Sequence, residues 1–209
     1  MYLVSLILLK LSSHRSFAVS LNTKCPNRNI SSIDFQEGCY SDLLILVIHK
    51  IFVSGSESFF PLYGSFLTVI CNISPYIRSM TATSAIKLVN LFHLFCSPRF
   101  LFNAQSNHLL LSLLIEAFNN VLQYQYTGNT SLVYAIICRK EDFYELEYMT
   151  LSIAIQVISR ALVGLLIPTV HRASRMQPLE EDHQRSHHNL KAIGNQLPGQ
   201  LRMIRKLRM

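Results

Sequence analysis

Apolar segments of helical period, closed at short intervals by glycine or proline, dominate the chain from Ser41 onward, and this punctuation limits the fold more than any other feature. The first, DLLILVIHKIFV, follows Ser41 as its N-cap and stops at Ser54-Gly55-Ser56. A second, from about Phe59 to Ile73, is interrupted by Gly64 and ended by Pro75, because a residue preceding proline is pushed out of the helical region. In the third, SAIKLVNLFHLFC, Ile86, Val89, Phe92 or His93, and Cys96 share one stripe, and Ser97-Pro98 closes it. Ser106 caps a fourth, NHLLLSLLIEAFNNVLQY, in which Leu110, Leu114, Phe118 and Leu122 recur at i+4 beside Leu111 and Leu113; Gly128 then breaks it. Thr130 starts a fifth, SLVYAIICRKEDFYEL, with Leu132, Ala135, Ile136 and Phe143 on its apolar side and Arg139, Lys140, Glu141 and Asp142 on the polar one. Residues 150–167 read as a sixth.

These helices start about every 20 to 24 residues, so a pair spans roughly 40 to 48, the period of HEAT and armadillo units. None can bury its apolar face alone, and stacking is the economical solution. The predicted fold is all-α: stacked antiparallel helices forming a HEAT- or armadillo-like α-solenoid segment, with a compact irregular bundle as the alternative. Composition agrees, since Gly and Pro number only seven each and 50% of residues are hydrophobic against 15% charged, where a typical soluble domain carries about a quarter. Residues 1–40 show weak periodicity and read as an irregular, poorly specified leader. Residues 41–170 form the helical domain, and 171–209 a disordered basic tail.

The net charge of +7 belongs mostly to that tail, which holds eight of the 19 Lys and Arg and three of the 12 acids. It lacks the aromatic interleaving that base stacking needs, so nucleic acid is not an expected partner. Within it, QLRMIRKLRM places Leu201, Ile204 and Leu207 on one side and Arg202, Arg205, Lys206 and Arg208 around the other, a pattern suited to contact with an anionic membrane surface. The N-terminal MYLVSLILLKLSSHRSFA imitates a signal peptide, but no cationic region precedes its short apolar run. LSIAIQVISRALVGLLIPTV, residues 151–170, has membrane-spanning length, yet Arg160 at its middle favours a packed or interfacial helix. An integral membrane protein of the secretory pathway is therefore the alternative reading.

The five cysteines, Cys25, Cys39, Cys71, Cys96 and Cys138, contain no C-x-x-C, and an odd number fits poorly with a closed disulfide framework. Reduced, mostly buried thiols are expected, with Cys71, Cys96 and Cys138 packed as small hydrophobes. No nucleophile elbow, phosphate loop or H-E-x-x-H motif is present. His183, His187 and His188 form the best metal candidate, but in a polar tail they read as solvated. His49 and His93 read as hydrogen-bonded core histidines. The expectation is a non-enzyme with no catalytic, cofactor-binding or metal residues.

Three strings carry a further signal: NISPY at Asn72 to Tyr76, FNNVLQYQYTGN at Phe118 to Asn129, and SLVYAII at Ser131 to Ile137. With DLLILVIHKIFVSG they make the region of about residues 40–140 resemble the high-temperature-induced dauer-forming protein family, which is related to dymeclin. The resemblance implies a cytosolic, non-enzymatic helical protein, peripheral on Golgi and trans-Golgi membranes, that works with other secretory-pathway proteins in dense-core vesicle sorting. Full members are several times longer, so the chain is expected to be a fragment, with neither the leader nor the residues after about 150 matching. The family attaches to membranes through an N-terminal Met-Gly acylation signal, whereas Met1 is followed here by Tyr2. Asn72-Ile73-Ser74 has the form of a glycosylation triplet, but its place before Pro75 makes it a helix boundary, where Asn72 and Ser74 satisfy helix-end groups and Asn72 carries no glycan.

Overall fold

The computed structural model describes residues 2–26, 33, 35–55 and 57–148. The expected sixth helix, the span candidate at 151–170, the histidines at 183, 187 and 188 and the basic cluster at 202–208 all lie outside the described residues. Within them the chain forms nine α-helices: α1 (Tyr2–Ser12), α2 (Arg15–Ser20), α3 (Tyr40–Ser54), α4 (Tyr63–Ile73), α5 (Ala82–Cys96), α6 (Pro98–Leu101), α7 (Asn107–Tyr124), α8 (Thr130–Cys138) and α9 (Lys140–Glu147). They stack in two rows. One runs α1, α4, α7 and the other α3, α5, α8, with α5 also against α7 and α9. The chain alternates between rows, so α4–α5 and α7–α8 are successive layers of a helical-repeat architecture, as the spacing implied. α4 begins at residue 63 and α7 at residue 107, a separation within the expected repeat period.

Local chemistry explains most boundaries. α3 ends at Gly55, which takes the left-handed conformation (φ 65°) that glycine reaches without steric cost. α4 ends at Ile73 because Ser74-Pro75-Tyr76 tightens into a 3-10 turn. Thr81 caps α5 and Ser97 caps α6, each hydroxyl accepting a backbone N–H three residues on.

Several sequence expectations need correction. The leader is not irregular: α1 and α2 occupy residues 2–20, and both pack on α4. After them, residues 21–25 pair with 38–41 through Cys25 N–H to Gly38 O (2.9 Å), Tyr40 N–H to Thr23 O (3.1 Å) and Ser41 N–H to Leu21 O (2.9 Å). Gly64 does not interrupt the second helix but sits in its first turn. The fifth helix is two, broken at Arg139, so that α9 turns onto α5. The α5 stripe is also rotated. Ile86 is 52% exposed, while Ala85, Leu88, Val89, Leu91, Phe92 and Phe95 are buried, because a helix packed on three sides needs a wider apolar face than one stripe supplies.

One continuous core joins the rows, with a smaller cluster of Cys25, Phe35 and Leu46 beneath the 21–39 connection. Its centre is aromatic. Phe92 of α5 stacks on Phe143 of α9 at 4.0 Å between centroids and meets Phe118 of α7 edge-on at 5.8 Å. Phe52 bridges α3 to Tyr63 of α4 (4.1 Å) and to Phe95 of α5 (5.4 Å). Truncating a fully buried phenylalanine costs about 3 to 5 kcal/mol. Phe92→Ala is therefore expected to lower the urea-unfolding free energy by about that amount, and because Phe92 holds α9 as well as α7, proteolysis within 140–147 should accelerate before global unfolding.

Candidate functional site: a clamp of side-chain amides

The densest polar arrangement among the described residues surrounds the stretch between α4 and α5. Pro75 has no N–H, so the carbonyl four residues earlier, Cys71, loses its helical donor. Ser74 Oγ donates to it instead at 2.7 Å, and Asn120 Nδ2 of α7 donates to Ser74 Oγ at 3.1 Å. Beyond the proline, three consecutive carbonyls have three different side-chain donors. Gln125 Nε2 donates to Pro75 O (3.0 Å), Asn22 Nδ2 to Tyr76 O (2.9 Å) and Asn129 Nδ2 to Ile77 O (2.7 Å). Asn22 also accepts from Arg78 N–H at 2.9 Å, so one amide grips the backbone from both sides. The glycine before Asn129 completes the fit. A Cβ on Gly128 would drive into the carbonyl of Arg78, with its carbon 3.0 Å away.

The far end of this stretch is held by a buried carboxylate. Asp42 Oδ1 accepts from Thr81 N–H (2.9 Å) and Thr81 Oγ1 (3.0 Å), and Oδ2 accepts from Cys39 N–H (2.9 Å). Cys39, not Ser41, is the N-cap of α3, and Asp42 closes its capping box while reaching the N-cap of α5. One acidic side chain therefore sits at the N-terminal ends of two helices, where the helix dipoles favour negative charge.

Reactive groups are not assembled anywhere in this region. Among the described residues no three His, Cys, Asp or Glu lie close enough to hold a metal ion. All five cysteines are free; Cys25 and Cys71 are buried, but Cys138 is exposed, contrary to its expected packing as a hydrophobe. Burial, aided by the Glu116 carboxylate, pushes the Cys71 thiol up to about 12. Cys96 is pushed higher by burial and then by Asp142 and Glu145. Burial and the neighbouring Asp42 also raise Cys39, with Lys24 opposing. These thiols are held protonated, the unreactive form. His49 is half-buried and held towards its neutral form by burial and Lys87. His93 is not a core histidine; its side chain is 55% exposed and Nδ1 lies 2.9 Å from Asp142 Oδ2, tying α5 to α9.

Asn72 is half-buried and donates through Nδ2 to Ser12 Oγ of α1 at 3.0 Å, while Ser74 is 1% exposed. The helix-boundary reading of the triplet holds for Ser74, whereas Asn72 serves as a bridge to α1 rather than as a cap.

The strings that meet here, NISPY and FNNVLQYQYTGN, are matched beyond this chain. The sequence model described as Hid1, high-temperature-induced dauer-formation protein, matches residues 1–206. The chain belongs to this family. The match extends over the leader and the tail, which corrects the expectation that only residues 40–140 are related. Human protein HID1 is 43% identical over 146 residues, covering 70% of this chain and 18% of the relative. The Dictyostelium discoideum protein HID1 is 37% identical over 147 residues, 70% of this chain and 16% of its own. The Schizosaccharomyces pombe Ubp5-interacting protein ftp105 is 32% identical over 159 residues, 74% of this chain and 17% of its own. The chain thus spans less than a fifth of the curated relatives it matches. No solved structure matches it.

Two measurements test the clamp. Asp42→Ala strands Cys39 N–H and the Thr81 donors, and each buried group left unpaired costs about 1 to 3 kcal/mol. Gly128→Ala, at a solvent-exposed position where alanine is ordinarily harmless, should cost about 1 to 3 kcal/mol because the Arg78 backbone must move. Both are read by urea unfolding, and a Gly128→Ala loss below about 0.5 kcal/mol, the range of ordinary surface substitutions, would contradict the geometry. The Cys71 thiol sets a pH dependence: its folded value lies above the ordinary 9.0, so its contribution is complete below about pH 9 and is lost as pH rises towards about 12. Unfolding midpoints measured from pH 8.5 to 11.5 should fall, and less steeply in Cys71→Ala.

Proposed function

We propose that this chain is a scaffold segment of a non-catalytic trafficking protein, peripheral on the cytoplasmic side of Golgi and trans-Golgi membranes, that acts with other proteins in secretory and dense-core vesicle sorting. Family membership is the observation that carries this reading. The geometry supports it in one respect: two of the three strings that carry the resemblance supply groups that fix backbone between stacked helices, which is what a rigid interaction scaffold requires. The name of the fission-yeast relative, a Ubp5-interacting protein, supports a protein rather than a small molecule as partner. Arg202, Arg205, Lys206 and Arg208 supply the proposed contact with anionic lipid, at about 1 kcal/mol per basic residue near the surface.

The alternative, an integral membrane protein, turns on residues 151–170. Among the described residues no helix is long and apolar enough to cross a membrane.

The full-length gene product, tagged and imaged, is expected to overlap Golgi and trans-Golgi markers; a purely nuclear or mitochondrial signal would refute the proposal. Alkaline carbonate should release it from membranes, whereas retention in the pellet would favour the integral alternative.

A further inference from the structure

α1 is amphipathic in the opposite sense to every long helix around it. Its two buried residues are serines, Ser5 and Ser12, and most of its apolar residues face outward: Tyr2, Leu3, Val4, Leu6, Ile7 and Leu11 are 42 to 70% exposed, while Leu8 and Leu9 are half-buried beside the serines. The serines are not wasted in the interior. Ser5 Oγ donates to Tyr2 O (2.8 Å), Ser12 Oγ donates to Leu9 O (2.7 Å), and Ser12 Oγ accepts from Asn72 of α4. The polar side of α1 is therefore fixed against α4 and cannot simply roll to expose itself. That leaves an outward surface made mostly of large apolar side chains, with Lys10 at its C-terminal end, on the first member of a helix row.

In stacked helical architectures an inner layer is covered on both sides, and a terminal layer stays soluble only by presenting a polar outer face. α4 is an inner layer, with α1 on one side and α7 on another. α9, which packs on α5 from outside, has the polar outer face this requires, exposing Lys140, Glu141 and Glu145. α1 does neither. A bilayer is a poor occupant, because an interfacial helix pairs its apolar face with a strongly charged one and the only charge on α1 is Lys10. The curated relatives are several times the length of this chain, since the matched region is 16 to 18% of them. We infer that the outward face of α1 is the seat of another helical layer, supplied by the same polypeptide in a protein of the length of its relatives. α1 is then an internal layer of a longer stack, and the row α1, α4, α7 continues past it.

The test uses the protein produced from its intact gene, with a benzophenone amino acid at Leu6 and photo-adducts mapped by mass spectrometry. The expected result is adduct formation within a product of monomer mass, to a helical segment outside these 209 residues. Adducts chiefly to lipid, to a second copy or to residues 149–209, the absence of adducts, or a gene product no longer than 209 residues would each overturn the inference. A second readout is the double substitution Leu3→Glu with Ile7→Glu in the same product. Burying two carboxylates under a layer should lower the unfolding midpoint by about 5 °C or more, while an unchanged midpoint would mean that the face is open to solvent and the inference wrong.

Discussion

Pro75 withholds one N–H from the carbonyl of Cys71, and much of the tertiary structure around the middle layer follows from how that loss is made good. A buried carbonyl without a donor costs free energy comparable to a lost hydrogen bond, so the chain supplies donors from wherever it can hold them rigidly. Ser74 answers locally. Asn120 of α7 backs it, and the carbonyls of Pro75, Tyr76 and Ile77, which the helix stop leaves outside α4, are met by Gln125, Asn22 and Asn129 in turn. The sequence separations run to 50 residues and more. A single helix stop thereby fixes the register of segments that would otherwise be joined only by apolar contact, which specifies proximity but not alignment.

The carboxylate of Asp42 plays the same part at the other end of the stretch. Hydrophobic burial provides the larger share of stability, through Phe92, Phe118 and Phe143 on one side and Phe52, Tyr63 and Phe95 on the other. Apolar burial is non-directional, so it selects which faces meet more strictly than it sets their alignment. The amides and Asp42 add alignment, because their long-range bonds to named backbone groups hold at one register and displacement leaves buried donors and acceptors unpaired. Layer order in this fold therefore comes from the apolar faces and layer register from a handful of polar atoms.

What the sequence revealed divides along the same line. The helix class, the stops at Gly55 and Pro75 and the repeat spacing were legible because local propensity and tertiary structure agree there. α1 was not, since its serines are buried and most of its apolar residues exposed, which erases the apolar period that marks a core-facing helix. Asp42 was invisible as a site because its partner Thr81 lies 39 residues away, and a carboxylate in a helix's first turn looks like ordinary capping. The break at Arg139 had no local signal either. RKED is good helix-forming sequence, and a continuous helix would keep Leu132, Ile136 and Phe143 on one stripe; the stacking of Phe143 on Phe92 and the His93–Asp142 contact accompany the break that redirects α9 onto α5. Within the clamp, the strings NISPY and FNNVLQYQYTGN stood out as unusual, but that they touch one another could not be read from either alone.

This division bears on what family resemblance can say about function. The amides, the proline and Gly128 of those strings close a joint, and any protein with the same joint would need them whatever it binds, but Tyr124 and Tyr126 of FNNVLQYQYTGN stand 58% and 53% exposed outside it. SLVYAII divides in the same way. Leu132, Ala135 and Ile136 are buried and belong to the core, yet Tyr134 is 71% and Ile137 54% exposed on the same helix. Packing within the described residues gives no reason for large side chains at those two positions, since an exposed helix surface gains nothing in stability from them over a polar residue. Of the three strings that carry the resemblance, then, two supply the groups that lock the layers together, while FNNVLQYQYTGN and SLVYAII also turn large side chains outward at Tyr124, Tyr126, Tyr134 and Ile137, which the packing of the described residues does not use.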